Sequence, residues 1–217
     1  MKKRNLTQEL VIIFWLFIFG SILGYIFEMI VALVQKGHFE SRQGLIYGPF
    51  TPVYGVGIVI YYLILSNMNI QNKIKVFGIT MLLGGITEYI CSFAQEKIFG
   101  TISWDYSNLM FNINGRTSLL HCLYWGTGGV LYSKYVIPII EKFKNNFYEN
   151  NKRIVTIIMS ILIFIDISLS FIAANRQTER KNNILPKNRV DVFLDKYYSD
   201  EYMDKVYCNK KEVSTKM

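Results

Sequence analysis

Five long apolar blocks constrain this chain more than any other feature of it. A spanning helix needs about 20 mostly apolar residues, because ~30 Å of hydrocarbon is crossed at about 1.5 Å per residue. The blocks cover about residues 10–34, 50–66, 74–93, 118–140 and 154–174. Beyond them, residues 175–217 read as a polar tail, with one short amphipathic helix near Val190 to Tyr198. Only 18% of the residues are charged, against about 25% in a soluble domain. The expectation is an all-α, polytopic transmembrane helix bundle of about five spans, and not a soluble enzyme.

The formal charge of +8 does not point to nucleic acid. Lys and Arg lie between the blocks and in the tail, with no basic stripe interleaved with aromatics, so they read as flanks that face lipid and set topology. With the N-terminus cytoplasmic, the inner segments carry Lys2, Lys3, Arg4, Lys73, Lys75, Lys142, Lys144, Lys152 and Arg153. The outer loops carry Lys36, Arg42, Lys97 and Arg116, and nine against four favours that orientation. Five spans then put the basic tail outside, against the same rule. Either the tail crosses regardless of charge or one block is re-entrant. The Met-Lys-Lys-Arg start resembles a signal-peptide head, but the long apolar stretch without an A-x-A site reads as a retained helix.

The first two blocks, laid over the next two, show an internal repeat. Gly24-x-x-x-Glu28 matches Gly84-x-x-x-Glu88. Each is followed by an outer loop ending in an arginine, Arg42-Gln-Gly-Leu45 and Arg116-Thr-Ser-Leu119. Each following helix opens with an aromatic-Gly-x-Gly, Tyr54 to Gly57 and Trp125 to Gly128. Two tandem hairpins of the same orientation imply a pseudo-twofold axis along the membrane normal.

A carboxylate at membrane depth costs about 2.5–3.5 kcal/mol unless paired, protonated or hydrated. Glu28 and Glu88 therefore call for partners. Arg42 and Arg116 are the natural ones, either within each hairpin or crossed between hairpins. The pairs would act as structural glue or as a polar site for cargo or protons. Gly48, Pro49, Pro52, Gly55 and Gly57 mark a broken or re-entrant helix start, which is tolerated at depth only against protein or a water-filled cavity. Close packing through small residues explains the same glycines. Trp104, Asp105 and Tyr106 form either a surface-lying loop or an outer lid. His121 reads as a packing residue, and Cys91 and Cys122 lie at depths that would permit a disulfide. Asp166 has no counterpart in the repeat and calls for a buried partner. The sequence contains no metal-ligand cluster, no catalytic constellation, no P-loop and no cofactor motif.

Several runs together resemble a known family. They are Arg42-x-Gly44-Leu-x-Tyr-Gly48-Pro49-x-x-Pro52-x-Tyr54-Gly55-x-Gly57, Glu88-Tyr89-x-x-Ser92, Glu96-x-x-Phe99-Gly100-x-x-x-Trp104-Asp105-Tyr106-Ser107, Asn114-Gly115-Arg116 and Trp125-Gly126. In this order they are similar to the bacterial Putative ABC-transporter type IV membrane proteins, with the likeness running from about Gly20 to Gly129. The resemblance implies a permease-like subunit of a bacterial cell membrane, with a separate chain supplying the ATPase. Five spans make a small bundle, so a homo- or hetero-oligomer is expected. The inner segments Asn67 to Lys75 and Glu141 to Arg153 carry no E-A-A…G docking motif. The alternative is a non-transporting membrane scaffold or sensor in which the ion pairs only hold helices together.

Overall fold

The computed structural model describes residues 6–66, 68, 72–143 and 150–213, without the side chains of 143 and 150–152. Of the residues used above to argue orientation, Lys2, Lys3, Arg4 and Lys144 lie outside the described residues, as does the side chain of Lys152.

The chain is an all-α helical bundle. Helix α1 is Leu6–Lys36 and α2 is Pro52–Leu65; α3, Lys73–Phe99, is followed by the two-residue strand β1, Thr101–Ile102. Helix α4, Leu119–Leu131, runs through a π-helical turn at Tyr132–Val136 into α5, Ile137–Phe143. Then come α6 (Asn150–Lys181), α7 (Arg189–Tyr197), α8 (Asp200–Val206) and strand β2, Lys211–Glu212. Within the described residues, three helices are long and apolar enough to cross a membrane: α1, α3 and the Arg153–Lys181 part of α6.

Local chemistry sets the boundaries. Pro52 occupies the first turn of α2, where its missing N–H costs nothing. Asn72 caps α3 by accepting from the Ile74 and Lys75 amides, and Gly100 ends it in the left-handed region at φ 64°. Ser118 caps α4 by accepting from the His121 amide. The π turn lies just before Pro138, which has no N–H to continue the regular ladder.

The bundle is a pair of hairpins, α1 with α2 and α3 with α4, joined chiefly through α2 and α3. One apolar cluster, built on Ile12, Tyr61, Tyr62, Leu65 and Val76, fills the N-terminal side. Helix α6 touches α1 through Trp15 Nε1, which donates to Thr156 Oγ1 at 3.0 Å, and α3 through the Phe99 and Phe171 rings.

Helix α2 has 14 residues, a rise of only about 21 Å. The preceding loop therefore descends along α1 until the Thr51 amide reaches the Ser21 carbonyl at 3.0 Å, in the middle of that helix. Backbone at such depth must find partners inside the protein. The Gly44 amide donates to Phe50 O at 2.7 Å. Ser170 Oγ accepts from the Ile46 amide at 2.8 Å, and Asp166 Oδ1 from the Tyr47 amide at 3.2 Å. That is the buried partner Asp166 required: it holds a non-helical loop in place.

Residues 175–181 continue α6, and the chain then folds back over the loop side of the bundle, opposite the N-terminal end of α1. Leu194, Tyr198 and Met203 cluster with Ala173 and Ile46. Strand β2 pairs antiparallel with β1, Thr101 opposite Glu212 and Ile102 opposite Lys211. Cys208 Sγ donates to Ser41 O at 2.8 Å, and Asn209 Nδ2 to Ser103 O at 3.2 Å. One segment thus ties together the loops of both hairpins.

Candidate functional site

Each hairpin is closed by an aromatic ring seated on a glycine. A Cβ at Gly24 would fall inside the Tyr54 ring, and one at Gly84 inside the Trp125 ring. Only a residue without a side chain lets the second helix approach so closely. Trp125 also lies against Gly57 of α2, so it packs both on its own hairpin partner and on the neighbouring hairpin. The Tyr54 and Trp125 centroids are 5.7 Å apart, and Tyr61 meets Trp125 edge-on at 6.1 Å. Tyr61 Oη donates to the Trp125 carbonyl at 2.7 Å.

This aromatic wall sits beside the two acids. Glu28 is half-buried and accepts from Tyr54 Oη at 2.5 Å. Glu88 is only 6% exposed. Its two oxygens accept from Tyr106 Oη at 3.1 Å and Thr117 Oγ1 at 2.8 Å. Burial first, then the Glu88 and Glu28 carboxylates, push the Tyr106 phenol up, so one loop tyrosine lies within electrostatic reach of both acids. Each acid is thus served by hydroxyls of its own hairpin, Tyr54 for Glu28 and Tyr106 with Thr117 for Glu88.

The expected Glu–Arg pairing is not what forms. Arg42 Nη2 pairs with Glu40 at 3.0 Å and Arg116 Nη2 with Glu96 at 2.5 Å. Both carboxylates lie at the loop side, where water reaches part of each pair, whereas moving either arginine down to Glu28 or Glu88 would bury its charge. The hydrogen bond from Lys36, with the charge of Arg42 beside it, holds Glu40 below the usual carboxylate range. Arg116 further stacks over Tyr89 and Phe93, each at 5.4 Å. Among the described residues, no lysine or arginine pairs with Glu28 or Glu88.

The loop residues divide by role. Tyr106 dips onto Glu88, while Trp104 Nε1 donates to the Arg116 carbonyl at 2.9 Å and braces the loop. Asp105 faces solvent, where the Ser107 hydroxyl and amide hold its carboxyl below the usual range. It contributes a turn. Gly48 takes φ 74° ahead of Pro49, and Gly55 packs on Ser21 and Phe17 of α1. His121 bonds Ser118 Oγ at 2.9 Å and stacks on Tyr106 at 3.7 Å. Cys91, Cys122 and Cys208 are free thiols, so the disulfide considered for Cys91 and Cys122 does not form. No group of three or more His, Cys, Asp and Glu gathers among the described residues.

Sequence reasoning missed Thr117, Glu40 and Glu96. Glu40 stands two residues before Arg42, and Glu96 opens the loop that Arg116 closes. A carboxylate near each loop arginine was the signal available.

An apolar groove of about 370 Å3 lies elsewhere, between α1 and α2, lined by Leu10, Ile13, Phe14, Val56 and Val59. In comparison with known proteins, residues 15–171 match the family model described as Putative ABC-transporter type IV. No curated protein and no solved structure matches the chain.

Proposed function

This chain belongs to the Putative ABC-transporter type IV family, a family of transport components and not of enzymes, and from that premise we propose that its two hairpins enclose a polar transport site. As a family member it is a multi-pass, permease-like protein of a bacterial membrane, working with a separate ATPase subunit. The finer reading has five spans: α1, α2, α3, the continuous α4–α5 helix, and α6. An odd number of crossings agrees with a C-terminal segment packed on the side opposite the N-terminal end of α1. With the N-terminus cytoplasmic, the loops and that segment face outward.

Duplication of one hairpin is supported by matched contacts, Gly24 against Tyr54 and Gly84 against Trp125. The observation that carries the site is the missing cation. Among the described residues, Glu28 and Glu88 meet only hydroxyl donors, while both loop arginines are engaged elsewhere. Two carboxylates in a low-dielectric place favour positive charge arriving from outside, as protons or as a cationic cargo that the Tyr54 and Trp125 faces would also attract. Tyr106 and Trp104 act as the outer lid. We further infer that a complete pathway needs an oligomer, because one such bundle is small.

The scaffold reading draws on two observations: Glu88 is closely packed, and the apolar groove lies away from both acids. Cysteine at positions 28 and 88, in a background lacking Cys91, Cys122 and Cys208, separates the two. The transport reading expects labelling by a membrane-impermeant thiol reagent from the loop side at both positions, with Glu28→Gln and Glu88→Gln accumulating normally. Folded variants that stay unlabelled at both positions would replace it with the scaffold.

A further inference from the structure

Helix α7 has two apolar faces, and the bundle uses only one. Leu194 and Tyr198, four residues apart, are buried against Ala173 and Ile46. Val190, Phe193 and Tyr197, at three- and four-residue spacing, form a second stripe and are 54%, 49% and 54% exposed. An exposed apolar stripe of this kind marks an interaction surface.

Its depth and charge identify the partner. Leu194 packs at the level of Ala173, and Asp195 pairs with Arg176, one turn nearer the loop side. The apolar run of α6 ends between these levels, at Ala174. The middle of α7 therefore stands at the edge of the hydrocarbon. Both its ends are tied just above that edge: Lys187, before the first turn, reaches Glu179 at 3.3 Å, and the Tyr198 carbonyl, after the last, accepts from Arg180 at 2.9 Å. Phe193 and Tyr197 are exposed on this helix, as are Phe171 and Ile172 on the apolar run of α6, which any surrounding bilayer would cover. Lys187 and Arg189 line a shallow depression of about 400 Å3 at the N-terminal end of α7, with Pro186, Asn188 and Val192. Lys196 reaches over the Tyr197 ring at 5.1 Å. Aromatic side chains at the hydrocarbon edge with basic groups beside them match a leaflet of anionic lipid.

We propose that α7 docks this second face on the lipid surface, with Phe193 and Tyr197 at the acyl boundary and Lys187, Arg189 and Lys196 among anionic headgroups. The C-terminal segment is then held by the bilayer as well as by the two loops.

The test uses the full chain, free of native cysteines, with Phe193→Cys carrying an environment-sensitive fluorophore. The protein is placed in nanodiscs of phosphatidylcholine alone or mixed with phosphatidylglycerol, with spin-labelled lipid as quencher. Phe164→Cys, on the exposed face of α6, is the positive control. The expected result is a blue shift and a loss of fluorescence at 193 approaching that at 164. The loss should deepen with phosphatidylglycerol, and R189E with K196E should abolish that deepening. Fluorescence at 193 that ignores the quencher in both lipids, while 164 responds, overturns the proposal. So does a blue shift accompanied by energy transfer between labelled copies, which would give the face to a second chain.

Discussion

The two hairpins keep the same acid in the same place and supply its hydroxyl from different sources. In the first, Tyr54 both fills the notch at Gly24 and donates to Glu28. In the second, the matched ring is Trp125, whose indole fills the notch at Gly84 but leaves the carboxylate to others. Tyr106 from the loop and Thr117 just before α4 serve Glu88 instead. The hydroxyl on the acid is thus the retained requirement and its carrier is not. In the first hairpin the donor rides on a helix; in the second it rides on a loop. Any movement of that loop changes the state of Glu88 and leaves the Tyr54 bond to Glu28 in place.

The packing half of this comparison breaks most severely. Gly84→Leu drives a branched side chain into Trp125, which is itself wedged against Gly57, and overpacking of this kind costs about 1–3 kcal/mol or more. Loss of monodisperse protein after detergent extraction is expected, with recovery on adding Trp125→Ala. Gly24→Leu should be milder, because Tyr54 meets the other hairpin only as a ring neighbour of Trp125 at 5.7 Å and is not wedged on a glycine there. Equal losses for the two would argue against a second role for Trp125.

The polar half gives a smaller effect. Tyr106→Phe leaves one oxygen of a buried carboxylate without its donor, a cost of about 1–3 kcal/mol. Tyr54→Phe should cost about 0.5–1.5 kcal/mol, since Glu28 is half-exposed and water replaces the hydroxyl. Thermal unfolding of the two variants in the same detergent ranks them. The reverse order would show Glu28 to be the more dependent acid.

The smallest effect lies outside the hairpins and separates them from the segment that covers them. Hydrogen bonds from Arg176 and Arg180 hold Asp195 at about 2 in the folded state, below its ordinary 3.8. Its stabilising contribution is therefore complete above about pH 4. It is lost as pH falls from the ordinary value through about 2. Over that range the C-terminal segment should loosen while the hairpins hold, read as loss of amide hydrogen-exchange protection in α7 and α8 ahead of α3 and α4. Asp195→Asn should remove most of that acid dependence.

The sequence made the helices legible because each apolar block reports its own burial. Gly24, Gly84, Tyr54 and Trp125 were legible as a pattern, although nothing local says that each ring sits on its glycine. The arginines misled because charge pairing was judged by repeat position. Glu40 and Glu96 won through proximity at a wetter level, a comparison of solvation that needs depth in three dimensions. Asp166 illustrates the same limit: its partner is the Tyr47 amide, and a backbone group carries no mark in a sequence. The C-terminal segment was the least legible part. Its contacts with Ser41, Ser103 and Thr101 join positions more than 100 residues apart.

Those separations also set an order of assembly. A ribosome adding about 5–20 residues each second needs roughly 5–35 s to travel from the first partner of such a contact to the second. For the later part of that interval, once α4 is made, both hairpins have their helices while the C-terminal segment has not yet tied their loops. Helix α6 must be inserted before its following segment can reach β1 and Ser41. Biogenesis thus passes through a stage in which both acids lie under loops that the C-terminal segment does not yet fasten, and arrival of that segment ends it.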